Sequence, residues 1–599
     1  MKRALALILC AVMLVAALSG CTTSLEKLET GEYDKGAVIP MYISTQMFNF
    51  DPATAYLNDA NAKVLSLLYV GLTDIDANGN LQKTLIDRYE ITENESLGEY
   101  KMKITLKETK WSDGVAITAS DVVYAWKRII KAGFQSEAAV LLYDIKNARD
   151  VKLGYMSIDD FGATAPETFV VEIEFERKIN YDQFLRNLSS PALVPLRESV
   201  VGKSGDDWAK KSATIVTSGP FTLKTVDYSS GFMRLERNAY YFLDTEGGDY
   251  ADKYVIPYRL ETDYTKSVSS YLSNLTTDNS RNKTFYTSEI PLDQRATYKD
   301  YATVTDNMST HTYYFNLQNE LFQKPEVRRA LSLAIDRNKI ADEIVVFAKP
   351  ATGFIPYKVT DGKVKTSFRE AGGDILSASA NVDEAKKLLS SAGVSGGDIR
   401  LAYYAYDDVS AAIANYVKGV WDGLGFNVTL VAMSASESSY DPQIYTDSYA
   451  PLYDATTTER RWDVLAMDYQ MLSEDAFSGL APFAVTFSGN GADMNNIEDD
   501  YPAWGHVTGY ASEAYNKKIE EAFEETDLVK RSAILHEAEK MLLEDMPVIP
   551  IVFNQTAYVF DSSVVSGFTS DYYGVTDFSR VKMKNYFAWK EVFETDATK

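Results

Sequence analysis

The chain has 599 residues, 46% of them hydrophobic, and carries 85 Asp and Glu against 60 Lys and Arg, for a formal charge of −25. A surface this acidic repels phosphate backbones and anionic headgroups, which argues against nucleic-acid binding, while the length and apolar content allow two to four packed lobes. Two cysteines, Cys10 and Cys21, exclude a disulfide framework and a thiolate metal site.

At the N-terminus, Lys2 and Arg3 precede an apolar run from Ala4 to Leu18, and small residues then lead to Cys21. This is the layout of a secretory signal peptide, and the run is too short to span a bilayer comfortably. The ending Leu18-Ser19-Gly20-Cys21 is similar to the lipobox of bacterial lipoproteins, which implies removal of residues 1–20 and lipidation of Cys21. Each buried acyl methylene contributes about 0.8 kcal/mol, enough for attached acyl chains to hold a soluble body at a membrane face. Residues 22–37, rich in Thr, Glu, Lys and Gly, read as a flexible tether.

Further along, apolar residues alternate with polar ones in two stretches. Tyr100, Met102, Ile104 and Leu106 share one face of 100–107, and Phe169, Val171, Ile173 and Phe175 share one face of 169–176. Both predict half-buried strands, paired in one sheet. Thr118-Ala119-Ser120-Asp121 is a capping-box pattern opening a helix to about Lys131. Pro325 suits a first helical turn, and Val327, Leu331, Ala334 and Ile335 follow at helical spacing. Asn381 and Glu384 cap a helix that Gly393 stops. A strand at 399–406, a helix at 410–423, a strand at 427–431, helices at 512–524 and 529–544, and an apolar run at 547–553 complete an α/β pattern with mixed sheets.

Catalytic patterns fail on context. Gly393-Val394-Ser395-Gly396-Gly397 spells a nucleophile elbow, but that device needs a strand before the serine and a helix after it, and here the order is reversed. The three histidines, His311, His506 and His536, have no metal-binding spacing; His536 reads as solvated on its helix, and His506 as a loop residue without a ligand. No Gly-Lys-Ser/Thr phosphate loop occurs, and the pairs Asp407-Asp408 and Asp499-Asp500 are adjacent, unlike facing acid–base carboxylates. The expectation is a protein that is not an enzyme and needs no cofactor or metal.

Several stretches together resemble bacterial extracellular solute-binding protein family 5, whose members feed ABC transporters with oligopeptides, dipeptides or nickel. They are Lys110-Trp111-Ser112-Asp113-Gly114 with the residues from Ile117 to Arg128, Ser218-Gly219-Pro220-Phe221 with Leu235-Glu236-Arg237-Asn238, Tyr314-Phe315-Asn316 with the residues from Val327 to Arg337, and the segments 383–393 and 541–553. They run in family order. The resemblance implies a type II periplasmic-binding-protein-like clamp of three lobes: lobe I from 38–68, 208–305 and 555–599, lobe II from 69–207, and lobe III from 306–554. Two crossover strands near 305–310 and 550–555 would form its hinge, and closure would trap a ligand between lobes.

By the same resemblance, residues from Trp462 to Tyr469 line the cleft, and Asp468 pairs with the α-ammonium of a peptide. Backbone groups of Val464 and Ala466 would pair with the peptide like an added strand, with Tyr469 alongside. Tyr56, Asn58 and Asp59 follow Phe50-Asp51-Pro52 where the family presents ligand-facing backbone, and Ser218 and Gly219 allow a close backbone approach near the hinge. Tyrosines such as Tyr403, Tyr404 and Tyr406 could line the cleft. Leu465, where many relatives have tryptophan, the sequence Gln470-Met471-Leu472-Ser473-Glu474-Asp475, the stretch 272–290 and an insertion-like 440–461 depart from the family pattern. The expected protein is a monomeric, lipid-anchored receptor on the extracytoplasmic face of the cell membrane, handing short peptides to an ABC permease and its ATPase subunits. Alternatives are an oligosaccharide or metal chelate in the same clamp, or a lipoprotein with a chaperone or adhesive role.

Overall fold

The computed structural model describes residues 33–34, 37–56, 59–134, 136–241, 254–277, 282–363, 365–404, 407–433, 463–489, 506 and 508–594. Residues 1–20, expected to form a signal peptide, Cys21 and the 440–461 segment lie outside them. Among the described residues, no helix is long and apolar enough to cross a membrane.

β1 (Val38–Pro40) opens the first layer, but its partners come only after another sheet has formed. That sheet contains β2 (Ile86–Asn94), β3 (Glu99–Leu106), β4 (Ala163–Glu167) and β5 (Val170–Phe175), in the order β2-β3-β5-β4 and wholly antiparallel. Register pairs Tyr100 with Phe175, Met102 with Ile173 and Ile104 with Val171, so the two alternating patterns meet on one face. Met102, Ile104, Val171, Ile173 and Phe175 are buried there. Helix α1 (Ala119–Ile130) covers this face with Val122, Trp126 and Ile129. The capping box holds its start: the Thr118 N–H donates to Asp121 Oδ2 at 2.8 Å.

β6 (Phe221–Asp227), β7 (Phe232–Arg237) and β8 (Arg259–Asp263) then complete the first sheet in the order β1-β8-β7-β6, with β1 parallel to β8. The third sheet is built from β9 (Thr303–Phe315), β10 (Gly397–Tyr404), β11 (Phe426–Met433), β12 (Val464–Gln470) and β13 (Val548–Phe560). Its order is β13-β9-β12-β10-β11, and the short strand Tyr286–Thr287 joins beyond β13. Helices α2 (Pro325–Leu333), α3 (Val382–Ser391) and α4 (Asp408–Asp422) bury one face of this sheet around Phe315, Val417, Trp421 and Val464. α5 (Glu513–Glu524) and α6 (Leu528–Asp545) lie toward the opposite side, where Tyr515, Ile519 and Leu542 join a core that also contains Tyr314 and Tyr469.

β9 and β13 are the longest strands, 13 residues each. β13 runs past the apolar residues ending at Phe553 because its more polar continuation pairs along the first half of β9 and, at Phe560, with Tyr286. The β9–β13 ladder shifts register between Asp306 and Thr310 and again between His311 and Thr312. Gly393 to Gly397 is a loop between the end of α3 and the start of β10, and a Cβ at Gly396 would meet the Gly425 carbonyl oxygen at 2.1 Å. Those glycines serve a close backbone approach, and the order of elements is wrong for a nucleophile elbow.

Candidate functional site

β12 is where the third sheet opens. It pairs antiparallel with β9 from Ser309↔Gln470 to Phe315↔Val464 without a break. The Asn316 N–H donates to the Asp463 carbonyl and the Met471 N–H to the Met308 carbonyl, which sets the phase of the ladder. Residues opposite each other in an antiparallel pair alternate between bonded and non-bonded positions. The odd-numbered residues of β12 therefore spend their backbone groups on β9, and Val464, Ala466 and Asp468 turn theirs to the other edge. β10 runs parallel along that edge but pairs only at Leu401↔Val464 and Ala402↔Leu465. Val464 is thus already flanked on both sides, which corrects the expectation that its backbone is available. From Ala466 onward, no described strand pairs with the edge.

Asp468 stands at this opening. Its side chain is 34% exposed, while His311, its cross-strand neighbour, is buried. His311 Nδ1 lies 2.8 Å from Asp468 Oδ1. An ionised carboxylate only accepts, so Nδ1 carries the proton, and the buried Nε2 has no partner among the described residues. Burial would raise the Asp468 carboxyl, but the hydrogen bond and charge of His311, with the Asn554 amide, hold it below the usual carboxylate range. Asn554 is itself placed by donating to Ser309 Oγ at 2.7 Å. Asp407, the cap of α4, shows the opposite balance: burial first, then the nearby Asp468 charge, pushes its carboxyl up. The site therefore keeps one carboxylate charged, oriented and partly open.

Tyr56, Tyr314 and Tyr469 belong to one buried core. Tyr56 is buried at the end of the short helix Pro52–Ala55, its hydroxyl reaching the Ser136 side chain and the Ala138 N–H. Ser136 Oγ donates to the Ala53 carbonyl at 3.0 Å, and Glu137 follows it. The buried Tyr314 hydroxyl has no hydrogen bond among the described residues, and burial above all, with the charges of Glu137 and Asp468, raises it. One apolar cluster runs without interruption from Phe50 and Leu65 through Trp126 and Leu142 to Tyr469 and Phe483, so these parts of the chain share one core.

Arginines from the β2–β5 layer fasten that contact. Arg186 Nε binds Glu474 in a pair 5% and 0% exposed, and Arg186 Nη2 donates to the Gly79 carbonyl at 2.9 Å. Burial, the larger effect, raises the Glu474 carboxyl against the opposing pull of Arg186. Arg177 donates to the Phe523 carbonyl and lies 4.1 Å from the Phe523 ring centre. Arg149 forks onto both Glu520 oxygens at 2.8–3.0 Å, nearer the rim.

The remaining expected site residues are placed elsewhere. The N–H groups of Ser218 and Gly219 both donate to the Leu68 carbonyl, and Ser218 Oγ accepts from the Val70 N–H at 3.1 Å. A Cβ on Gly219 would meet the Leu68 carbonyl carbon and Tyr69 nitrogen at 2.7 Å. The close approach is real, but its partner is the protein's own chain, so these two residues are corrected from ligand contacts to packing. Asn58 lies outside the described residues, as do Trp462 and Tyr406, and Asp59 opens the helix Asp59–Leu68. Tyr469 is buried, donating to the Gly479 carbonyl at 3.2 Å. His536 is not free in solvent: it stacks on Phe368 at 3.9 Å and bonds Asp361 at 2.9 Å. His506 is buried between Phe483 and Tyr314, and burial pushes its pKa down to about 3. Sequence reasoning missed His311 and Asn554 as the partners of Asp468. A half-buried aspartate in a strand calls for a partner, and with three histidines in the chain His311 was a findable one. Among the described residues, no group of three His, Cys, Asp or Glu is placed to hold a metal ion.

Residues 90–491 match the family model described as bacterial extracellular solute-binding proteins, family 5 Middle. The chain is 25% identical over 572 residues to the dipeptide-binding protein DppE of Bacillus subtilis, covering 92% of this chain and 93% of that one. It is 26% identical over 524 residues to the probable deoxycholate-binding periplasmic protein YgiS of Escherichia coli, covering 84% and 85%. Among solved structures, OppA of Haemophilus influenzae in complex with the peptide RPPGFSPFR superposes with a TM-score of 0.71 at 22% identity, covering 92% of this chain and all of that one.

Proposed function

We propose that this chain, which belongs to the bacterial extracellular solute-binding proteins of family 5, captures short peptides between its lobes and delivers them to the permease of an ABC importer. The observation that carries the reading is the open edge of β12 from Ala466 to Asp468, ending in a carboxylate that His311 keeps charged and oriented. A peptide laid along that edge gains main-chain hydrogen bonds as an added strand, which read backbone and leave side chains to their pockets. Its α-ammonium meets Asp468, and a charge-assisted bond of this kind is worth about 1.5–3 kcal/mol. Closure brings the β2–β5 layer over the ligand through Arg186, Arg177 and Arg149, so the shut form is the one the permease would recognise. No bond is made or broken, and ATP is hydrolysed by the partner. Cys21 would carry the lipid that keeps the receptor at the extracytoplasmic face of the membrane.

The likeness to YgiS, a protein named for deoxycholate, favours a second reading in which the same cleft holds a non-peptide solute. Such a guest needs no ammonium contact at Asp468. Native mass spectrometry of the purified chain, with a fluorescence titration against a defined peptide mixture, separates the two. We expect released peptides of intact sequence and a saturable tryptophan signal. Absence of both, or peptides returned cleaved, would defeat peptide capture.

A further inference from the structure

The turn from Asp571 to Val575 joins two short paired strands, Thr569–Ser570 and Thr576–Asp577, and closes on itself. The Asp571 N–H donates to the Val575 carbonyl at 3.0 Å, and the Val575 N–H donates back to Asp571 Oδ1 at 2.8 Å. Gly574, at φ +86°, packs the turn against β9: a Cβ there would meet the Asp306 carbonyl oxygen at 2.8 Å and Asn307 Oδ1 at 3.2 Å. That contact falls where the β9–β13 ladder first slips, between Asp306 and Thr310. Side chains hold the ribbon where its backbone pairing is interrupted. Lys349 and Gln555 donate to Asp306 at 2.6 and 2.7 Å, and Thr556 donates to Asn307 Oδ1 at 2.6 Å.

From this base two adjacent tyrosines reach apart. The Tyr572 N–H donates to the Ile75 carbonyl at 3.3 Å, and its hydroxyl donates to the Lys358 carbonyl. One residue thus touches both the hairpin of Thr73–Ile75 with Leu81–Lys83 and the segment around Lys358. Its ring lies at the tip of that hairpin, where a Cβ on Gly79 would sit 3.4 Å from Tyr572 Cε2. The Tyr573 hydroxyl is 2.6 Å from Ser189 Oγ. Ser189 already donates to the Arg186 carbonyl at 2.7 Å, so the tyrosine is the donor. Arg186 in turn bonds the Gly79 carbonyl and Glu474. Stretches far apart in sequence therefore meet on one turn, and the tyrosine contacts are directional bonds that a shift of about 1 Å would break.

We infer that the turn from Asp571 to Val575 is a clasp: it holds the 73–83 hairpin and Ser189 against the Lys358 segment and the first half of β9, and it must let go before a captured guest leaves. This deepens the peptide-capture reading and rests on it. Opening parts the two tyrosine hydroxyls from their acceptors and leaves Gly574 seated on β9, so the clasp sets how long the guest stays rather than how fast it arrives.

The test uses the full chain and a set of alanine peptides of three to five residues with free N-termini, followed by stopped-flow tryptophan fluorescence. Tyr572→Phe combined with Tyr573→Phe keeps both rings and removes both hydroxyls. The dissociation rate should rise about tenfold or more while the association rate stays within about twofold. Tyr573→Phe and Ser189→Ala should each raise dissociation about fivefold, and the two together no further than either alone, because they remove the same bond. An unchanged dissociation rate in the double tyrosine variant, or additive effects of Tyr573→Phe and Ser189→Ala, would overturn the inference while leaving peptide capture standing. So would slower association accompanied by a lowered unfolding midpoint of the ligand-free chain, which would assign both hydroxyls to folding alone. Failure of the unaltered chain to bind any peptide of the set would remove peptide capture itself, and this inference with it.

Discussion

Two ion pairs in this molecule do opposite work with similar parts. Arg186 and Glu474 join the helix Tyr181–Asn187 to the segment after β12 in a pair that is almost wholly buried. His311 and Asp468 join neighbouring strands of one sheet, and the carboxylate stays a third exposed. In the first, the protein supplies both charges and seals them from water, so the pair specifies how those two segments meet and has no capacity left for a guest. In the second, the protein supplies a charge and an orientation and leaves one side of the carboxylate open. Burial raises the Glu474 carboxyl even beside arginine, so the sealed pair contributes geometry more than stability, whereas Asp468 is held low and ready. Fastening and capture are thus separable, and single substitutions should affect them differently.

The largest effect should come from Glu474→Ala, which strands Arg186 in a buried site. Removing one partner of a buried pair costs about 3–5 kcal/mol, visible in denaturant unfolding and as a weaker closed, liganded form. Arg186→Met combined with Glu474→Met should recover most of that loss, because a well-packed apolar pair does not carry the desolvation cost. If the double variant is as unstable as the single one, the pair is a source of stability and the contrast with Asp468 fails.

Asp468→Asn should come next, weakening free-N-terminus peptides roughly tenfold to a hundredfold while N-acetylated ones change little. Equal losses for both would separate Asp468 from the ammonium. The sign of the pH effect is fixed by its lowered carboxyl. The stability it contributes is present above the ordinary carboxylate range, near about pH 4, and is lost as pH falls through the depressed value. The unfolding free energies of the two proteins should therefore differ at neutral pH and converge in strong acid. Smallest of all should be Glu520→Gln at the rim, where both partners are substantially exposed. There the change should stay below about 1 kcal/mol and shrink further with added salt. A larger, salt-insensitive loss would mean that the rim also fastens the lobes.

What could be read from sequence was what neighbours in sequence decide. The capping box at Thr118 and Asp121 and the alternation in 100–107 and 169–176 are local rules, and the structure keeps them, down to the pairing of Met102 with Ile173. Asp468 was legible only through family likeness, and its partner was not, because His311 lies 157 residues earlier and faces it only once β9 and β12 pair. The Arg186–Glu474 pair was invisible for the same reason: its members are 288 residues apart, and each alone reads as ordinary surface charge. The segment from Gln470 to Asp475, noticed as a departure from relatives, turns out to contain the buried acid of that pair. At Ser218 and Gly219 the sequence signalled a tight approach without naming the partner, and the partner is the 67–69 backbone. At His536, helical spacing suggested water on a face that the short helix Phe368–Gly372 covers with Phe368.

The register slip between His311 and Thr312 has a mechanical consequence. The residue that touches the Asp468 carboxylate also stands at a step in the long two-strand ribbon, where twist can change without tearing the ladder on either side. Torque about that step would turn the imidazole, and a guest tugging on Asp468 would press back on the same joint. Sensor and pivot would then share one side chain, needing no relay of intermediates between an occupied groove and a swinging arm.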